Sequence, residues 1–106
     1  MVAPVSGRKI LERDLEAYFG RGCKKRRLVT LKLSVMYSVG WPDRLVCLPD
    51  NRVGWAELKT LTGKVTPRQI RIHKLLAGQG HLVEILRSKA EIDVFLDKCE
   101  ESCACV

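Results

Sequence analysis

No window of this 106-residue chain approaches the roughly 18 uncharged apolar residues needed to cross a bilayer. The opening Met1-Val2-Ala3-Pro4-Val5-Ser6 lacks the basic segment and apolar stretch of a secretory leader, so a mature intracellular, cytoplasmic protein is expected. Internal repeats, Pro- or Ser-rich linkers and low-complexity tracts are also missing. The length suits one compact domain spanning 1–106 and is too short for a cofactor domain beside a catalytic one. Disulfide partners are lacking too: Cys23, Cys47, Cys99, Cys103 and Cys105 are odd in number with no leader, which argues against a disulfide framework. The cluster Cys99-x3-Cys103-x-Cys105 has no second cysteine pair at ligand spacing, and His73 and His81 fall on other elements. Reduced thiols in a C-terminal tail are therefore expected in preference to a zinc-held scaffold. The compact part is expected over about residues 8–98, between a loose N-terminus and that tail, so deleting residues 99–106 should be harmless.

Acidic residues are the scarce charge. Nineteen Lys and Arg against twelve Asp and Glu leave +7, unevenly spread. Residues 59–74 hold Lys59, Lys64, Arg68, Arg71 and Lys74 with no acid, and a second basic run is Lys24-Lys25-Arg26-Arg27. The segment 91–101 reverses sign. Two cationic stretches on a small domain suggest a polyanion held through its phosphates, although solvated faces look the same in a sequence. With 46% apolar residues the chain should fold.

Periodicity supplies the elements. Ile10, Leu11, Leu15, Tyr18 and Phe19 recur at helical spacing after a possible cap at Ser6, predicting a helix over about 8–19 stopped by Gly20 and Gly22. The period then becomes two, with Val29, Leu31, Leu33 and Val35 on the inward side of a strand and Thr30, Lys32 and Ser34 outward. After a loop from Tyr37 to Pro42, Leu45–Leu48 and Val53–Lys59 form a hairpin about Pro49-Asp50-Asn51. Thr66 and Pro67 open a helix reaching about Ala77. A strand over Leu82–Leu86 follows, and the capping box Ser88-Lys89-Ala90-Glu91 starts a last helix with Ile92, Phe95, Leu96 and Cys99 inward. The order α-β-β-β-α-β-α is that of an α/β sandwich around a central mixed sheet.

Asp43 stands at the mouth of the second strand, and Glu57-Leu58-Lys59 closes the third. Alternation puts Glu57 and Lys59 on one face, which the hairpin brings near Asp43. Two carboxylates, with the Leu58 carbonyl as a further oxygen, are what a hard cation such as Mg2+ or Mn2+ selects. Such an ion polarises a phosphodiester and makes water nucleophilic near neutral pH. Lys59 would orient that water or neutralise transition-state charge. Glu57 and Lys59 could equally be an exposed pair worth under ~1 kcal/mol, since Glu-x-Lys is a common spacing.

These residues resemble the signature of the PD-(D/E)xK nuclease superfamily, and more narrowly the chain is similar to the stand-alone virus-type replication-repair nuclease (VRR-Nuc) domain of phages and bacteria. The resemblance covers about residues 11–96. It rests on Leu11-Glu12-x-x-Leu15-Glu16, Lys32, Gly40-x-Pro42-Asp43-Arg44-Leu45, Trp55-x-Glu57-Leu58-Lys59, Thr66-Pro67-x-Gln69, Leu76 with Gly80, and Leu82–Leu86 followed by Ser88. It implies a restriction-endonuclease-like α-β-β-β-α-β core, metal-binding carboxylates at Asp43 and Glu57, and a catalytic lysine at Lys59. It further implies an acidic residue approaching the metal at Glu12 and a glutamine against the active centre at Gln69. Helical spacing agrees for Gln69, which shares the apolar face with Ile72 and Leu76, although a helix-opening residue capped by Thr66 is the other reading. Lys32 could reach the site or DNA phosphate, or simply be solvated.

One loop departs from the family pattern. Tyr37-Ser38-Val39 stands where relatives carry basic or glycine-rich residues, and Trp41 is bulky for its place. Either aromatic could stack on an unpaired base or wedge a junction; packing locally is the alternative. Arg21, Lys24, Lys25, Arg26, Arg27, Lys32, Lys64, Arg68, Arg71 and Lys74 are the candidate phosphate contacts, setting affinity and salt dependence. The expectation is a Mg2+- or Mn2+-dependent DNA endonuclease in phage or bacterial replication, repair or recombination, with no membrane partner and no small-molecule cofactor. The resemblance implies a homodimer that cuts branched DNA such as Holliday junctions. Alternatives are a flap, nick or end-processing nuclease and, outside enzymes, a basic nucleic-acid-binding module.

Overall fold

Among the residues that the computed structural model describes, 10–33 and 39–104, the elements are α1 (Glu12–Lys25), β1 (Thr30–Lys32), β2 (Arg44–Cys47), β3 (Val53–Leu58), α2 (Pro67–Gly78), β4 (Leu82–Leu86) and α3 (Lys89–Ala104). The expected α-β-β-β-α-β-α order and mixed sheet are both present. Strand order is β1-β2-β3-β4; β1, β2 and β3 pair antiparallel, and β4 runs parallel to β3. A parallel partner needs a crossover, and α2 supplies it. Expectations for the Ser6 cap, for Ser34, Val35 and Tyr37, and for Cys105 lie outside the described residues.

Two helices cover one face of the sheet. Leu15, Phe19 and Cys23, spaced by four along α1, meet Ile92, Phe95, Leu96 and Cys99 of α3 over Val46, Ala56, Leu58 and Leu86, all fully or almost fully buried. The first helix does not stop at Gly20 and Gly22 but runs on to Lys25. Helical packing explains Gly22: a Cβ there would sit 2.6 Å from Leu96 Cδ1, so glycine lets the two helices approach. The extension also puts Lys24 and Lys25 in the last turn, where cations favour the helix dipole. Arg26, at the cap, turns back onto α3, with Nη2 2.9 Å and Nε 3.1 Å from Asp97 Oδ1 and Asp93 and Glu100 within 4 Å.

The tail expectation is corrected at α3. This helix continues to Ala104, and Cys99 is a fully buried core residue rather than the start of a loose segment. At its other end Ser88 Oγ accepts from the Glu91 N–H at 3.1 Å, while Glu91 Oε1 accepts from Arg87 N at 2.7 Å, so the box closes one residue early.

On β1 the alternation is opposite to that expected. Thr30 turns inward, its hydroxyl donating to the Leu45 carbonyl at 2.6 Å, and Val29 and Leu31 are 69% and 57% exposed. The physical reason is cover: β1 is the edge strand, and α2 packs over the β4 side of the other face, leaving the β1 side open. The β2–β3 hairpin turns on Asp50 and Asn51, both at positive φ (63° and 59°), which is the geometry of a type I′ turn and a conformation these side chains tolerate.

Candidate active site

The second face of the sheet carries the polar chemistry. Arg44 pairs with Ala56, so the residues one step outward, Asp43 and Glu57, stand opposite each other at the sheet end. Ala56 and Leu58 go into the core, which sends Trp55 and Glu57 to the face covered by α2. The Leu58 N–H donates to Asp43 Oδ2 at 2.9 Å, tying the carboxylate across the strand ends. Lys59 follows directly, its Nζ 3.9 Å from Glu57 Oε2. The exposed-pair reading of Glu57 and Lys59 does not hold, because Glu57 is only 3% exposed.

Helix α2 reaches the same carboxylate. Gln69 Nε2 donates to Glu57 Oε2 at 3.2 Å. The same side chain also closes a capping box: its Oε1 accepts from Thr66 N at 2.9 Å, and Thr66 Oγ1 accepts from Gln69 N at 3.1 Å. Gln69 thus makes both contacts at once, with the amide oxygen serving the cap and the amide nitrogen bonding Glu57. One turn further on, His73 places Nε2 3.9 Å from Glu57 Oε1. Sequence reasoning misses His73 as a site residue, yet its i+4 spacing from Gln69 is the available signal.

Burial pushes the Glu57 carboxyl up to about 8, reinforced by the charge of Asp43 and opposed by Lys59, with a smaller upward push from Glu12. Burial also lowers His73, against an opposing pull from Asp43. Glu57 Oε1 and His73 Nε2 are both buried without a hydrogen-bond partner. A buried carboxylate oxygen with no donor, beside a second carboxylate of like charge, is a position that a cation satisfies. The donor set at Asp43 and Glu57 is hard oxygen, the kind that fits Mg2+ or Mn2+. Among the described residues no three His, Cys, Asp or Glu side chains converge into a closed cage, so the main chain and water would have to complete the coordination.

The other expected residues divide. Glu12, in the first turn of α1, is exposed and reaches Glu57 only through its charge. Lys32 is drawn to Glu16 at 2.9 Å, an acid that Arg44 also approaches at 3.5 Å. Arg26 is occupied by the α3 carboxylates. Lys24, Lys25 and Arg27 are exposed at the end of α1, Lys64 is exposed in the loop before α2, and Arg68, Arg71 and Lys74 are exposed along α2. Trp41 packs on Trp55, their rings 5.4 Å apart.

No family model matches the chain. A solved structure described as a VRR_NUC domain has a TM-score of 0.69 to this fold at 26% identity, covering 81% of this chain and 94% of that one. Putative nuclease p44 of Acyrthosiphon pisum secondary endosymbiont phage 1 is 44% identical over 50 residues, 47% of this chain and 54% of that protein. The chain therefore spans about half the length of this curated relative.

Proposed function

We propose that this chain, a nuclease domain of the VRR_NUC type, is a divalent-metal-dependent DNA endonuclease. The observation that carries the reading is the buried Glu57 carboxylate, opposite Asp43 and beside Lys59, with one oxygen unpartnered. Asp43, Glu57 and the Leu58 carbonyl would hold Mg2+ or Mn2+. That ion, when bound, would supply Lewis-acid activation of the phosphodiester and a nucleophilic water.

The chain's own groups do the positioning. Leu58 N–H fixes the Asp43 carboxylate, and Gln69 fixes Glu57 from the opposite side. Lys59 brings positive charge to where the phosphorane charge develops during in-line displacement. Glu12 adds a negative field from α1. The cations at the end of α1 and along α2 would grip the flanking phosphates, with Lys32 and Arg26 contributing less because each is already paired.

One such site cuts one strand, so a homodimer that nicks both sides of a branched substrate such as a four-way junction is the natural assembly. Such an enzyme would work in the cytoplasm of a bacterial host or in phage replication and recombination. No helix among the described residues is long and apolar enough to cross a membrane. The test incubates labelled four-way junction, flap, duplex and single strand with the protein, with and without Mn2+. Metal-dependent cutting of the junction is expected, and Lys59→Ala should lose cleavage while keeping salt-sensitive binding. Failure to cut any of the four overturns the enzyme reading; equal cutting of linear duplex overturns the branch preference. A monomer by light scattering of reduced protein overturns the dimer.

A further inference from the structure

Among the described residues, a small recess of about 200 Å³ opens directly beside Asp43 and shares Asp43 and Gln69 with the hydrolytic site. Leu33, Val39, Trp41 and Pro42 give it apolar walls, and Arg68 and Gln69 of α2 border it. The volume is below the roughly 300 Å³ at which pockets take drug-sized ligands, and above the ~150 Å³ cavity that accepts a benzene ring. It therefore has room for one flat heteroaromatic base and no more.

The walls are built rather than incidental. Gly40 has φ +86°, and a Cβ there would lie 2.8 Å from Arg68 Cγ, so the arginine stem packs onto bare backbone at the pocket wall. Trp41 leans on the nearly buried Trp55 yet remains 41% exposed. A large indole held from behind and open in front costs free energy in water, and it offers a rigid stacking surface with little ordering entropy left to lose. Among the described residues Arg68 makes no ion pair, leaving its guanidinium for a phosphate.

We propose that this recess captures one unpaired nucleobase next to the scissile phosphate, stacked on Trp41 with Arg68 on the adjoining phosphate. The proposal rests on the nuclease reading and narrows its substrate to DNA with an extrahelical or unpaired nucleotide at the cut. A paired base cannot enter the recess without unstacking, which costs a few kcal/mol and is least where the base is already unpaired. Preference for branch points would then arise from the geometry of one pocket rather than from recognition of the whole junction.

The experiment is run in EDTA, which would withhold the metal that the proposed hydrolysis needs. Affinities of the full chain are measured by anisotropy for a duplex carrying one unpaired 2-aminopurine and for the fully paired duplex. Wild-type protein should favour the unpaired form, and the 2-aminopurine fluorescence should be quenched on binding. Trp41→Leu, which fills the space without a π face, should cut the preference ratio about tenfold, the size of one lost base–aromatic stack. Trp41→Phe should restore most of it. No preference in wild type, no quenching, or an unchanged ratio in Trp41→Leu overturns the proposal. Should Trp41→Leu fail to fold, the wild-type quenching and the Trp41→Phe ratio decide alone. Cleavage in Mn2+ is scored separately: cutting with no ratio effect sinks the pocket and spares the nuclease, and a ratio effect without cutting does the reverse.

Discussion

Replacing Glu57 with Gln should stabilise the metal-free protein at neutral and alkaline pH while removing cleavage. Burial, then the charge of Asp43, lifts the Glu57 carboxyl from 4.5 to about 8 in the folded state. The unfolded chain gives up this proton near 4.5, so between those values the folded state binds more protons. The stability supplied by the protonated form is complete below pH ~4.5 and is lost as pH rises through about 8. At ~1.36 kcal/mol for each pH unit separating the folded and unfolded values, the loss is on the order of 5 kcal/mol by pH ~9, and roughly half of it falls between about pH 5 and 7. For a domain of this size that amounts to roughly 10 °C in Tm.

The substituted amide would be nearly isosteric, and its oxygen could still accept from Gln69 Nε2, so the Glu57→Gln variant should lack this pH dependence. His73, lowered by burial, contributes the opposite sign below its ordinary pKa, but it is present in both proteins and cancels in the difference. Thermal melts in EDTA at mildly acidic, neutral and mildly alkaline pH provide the assay, with a Mn2+ arm that should raise the wild-type Tm and leave the variant unmoved. Parallel melting of the two proteins across the window would refute the account of a buried, charge-crowded carboxylate.

Gly22→Ala should cost about 1–3 kcal/mol through overpacking against Leu96, read as a lower denaturation midpoint with the m-value retained. Truncation after residue 98 should lower the Tm, because it removes Cys99 from the core and the last turns of α3; an unaltered melt would restore the idea of a dispensable tail. Arg26→Ala should reduce stability and barely change the salt dependence of DNA binding. Lys24→Ala and Lys25→Ala should each reduce the slope of log K against log salt by about one if those residues meet phosphates.

Element order and the site nucleus are legible because each depends on local pattern. Alternation sets Glu57 and Lys59 on one face, and the hairpin signal at Asp50-Asn51 brings Asp43 opposite. The errors fall where tertiary cover decides. Gly22 reads as a helix stop until Leu96 is known to press against it, and the inward side of β1 cannot be chosen without knowing that α2 leaves the edge strand bare. His73 escapes notice because a lone histidine on an apolar helix face usually belongs to the core; its i+4 spacing from Gln69 is a weak signal until its approach to Glu57 is seen. The double duty of Gln69 is invisible for a different reason, since a side-chain amide has two ends and a sequence pattern assigns it one role.

That amide joins two events that are separate in most proteins. Fraying of the first turn of α2 would withdraw the nitrogen that steadies Glu57, so breathing of a helix terminus and loosening of the acid are one motion. Hydrogen exchange at Gln69 N–H should then run at the rate with which the carboxylate becomes free, and whatever clamps that terminus, a bound strand included, would tune the readiness of the site from outside it.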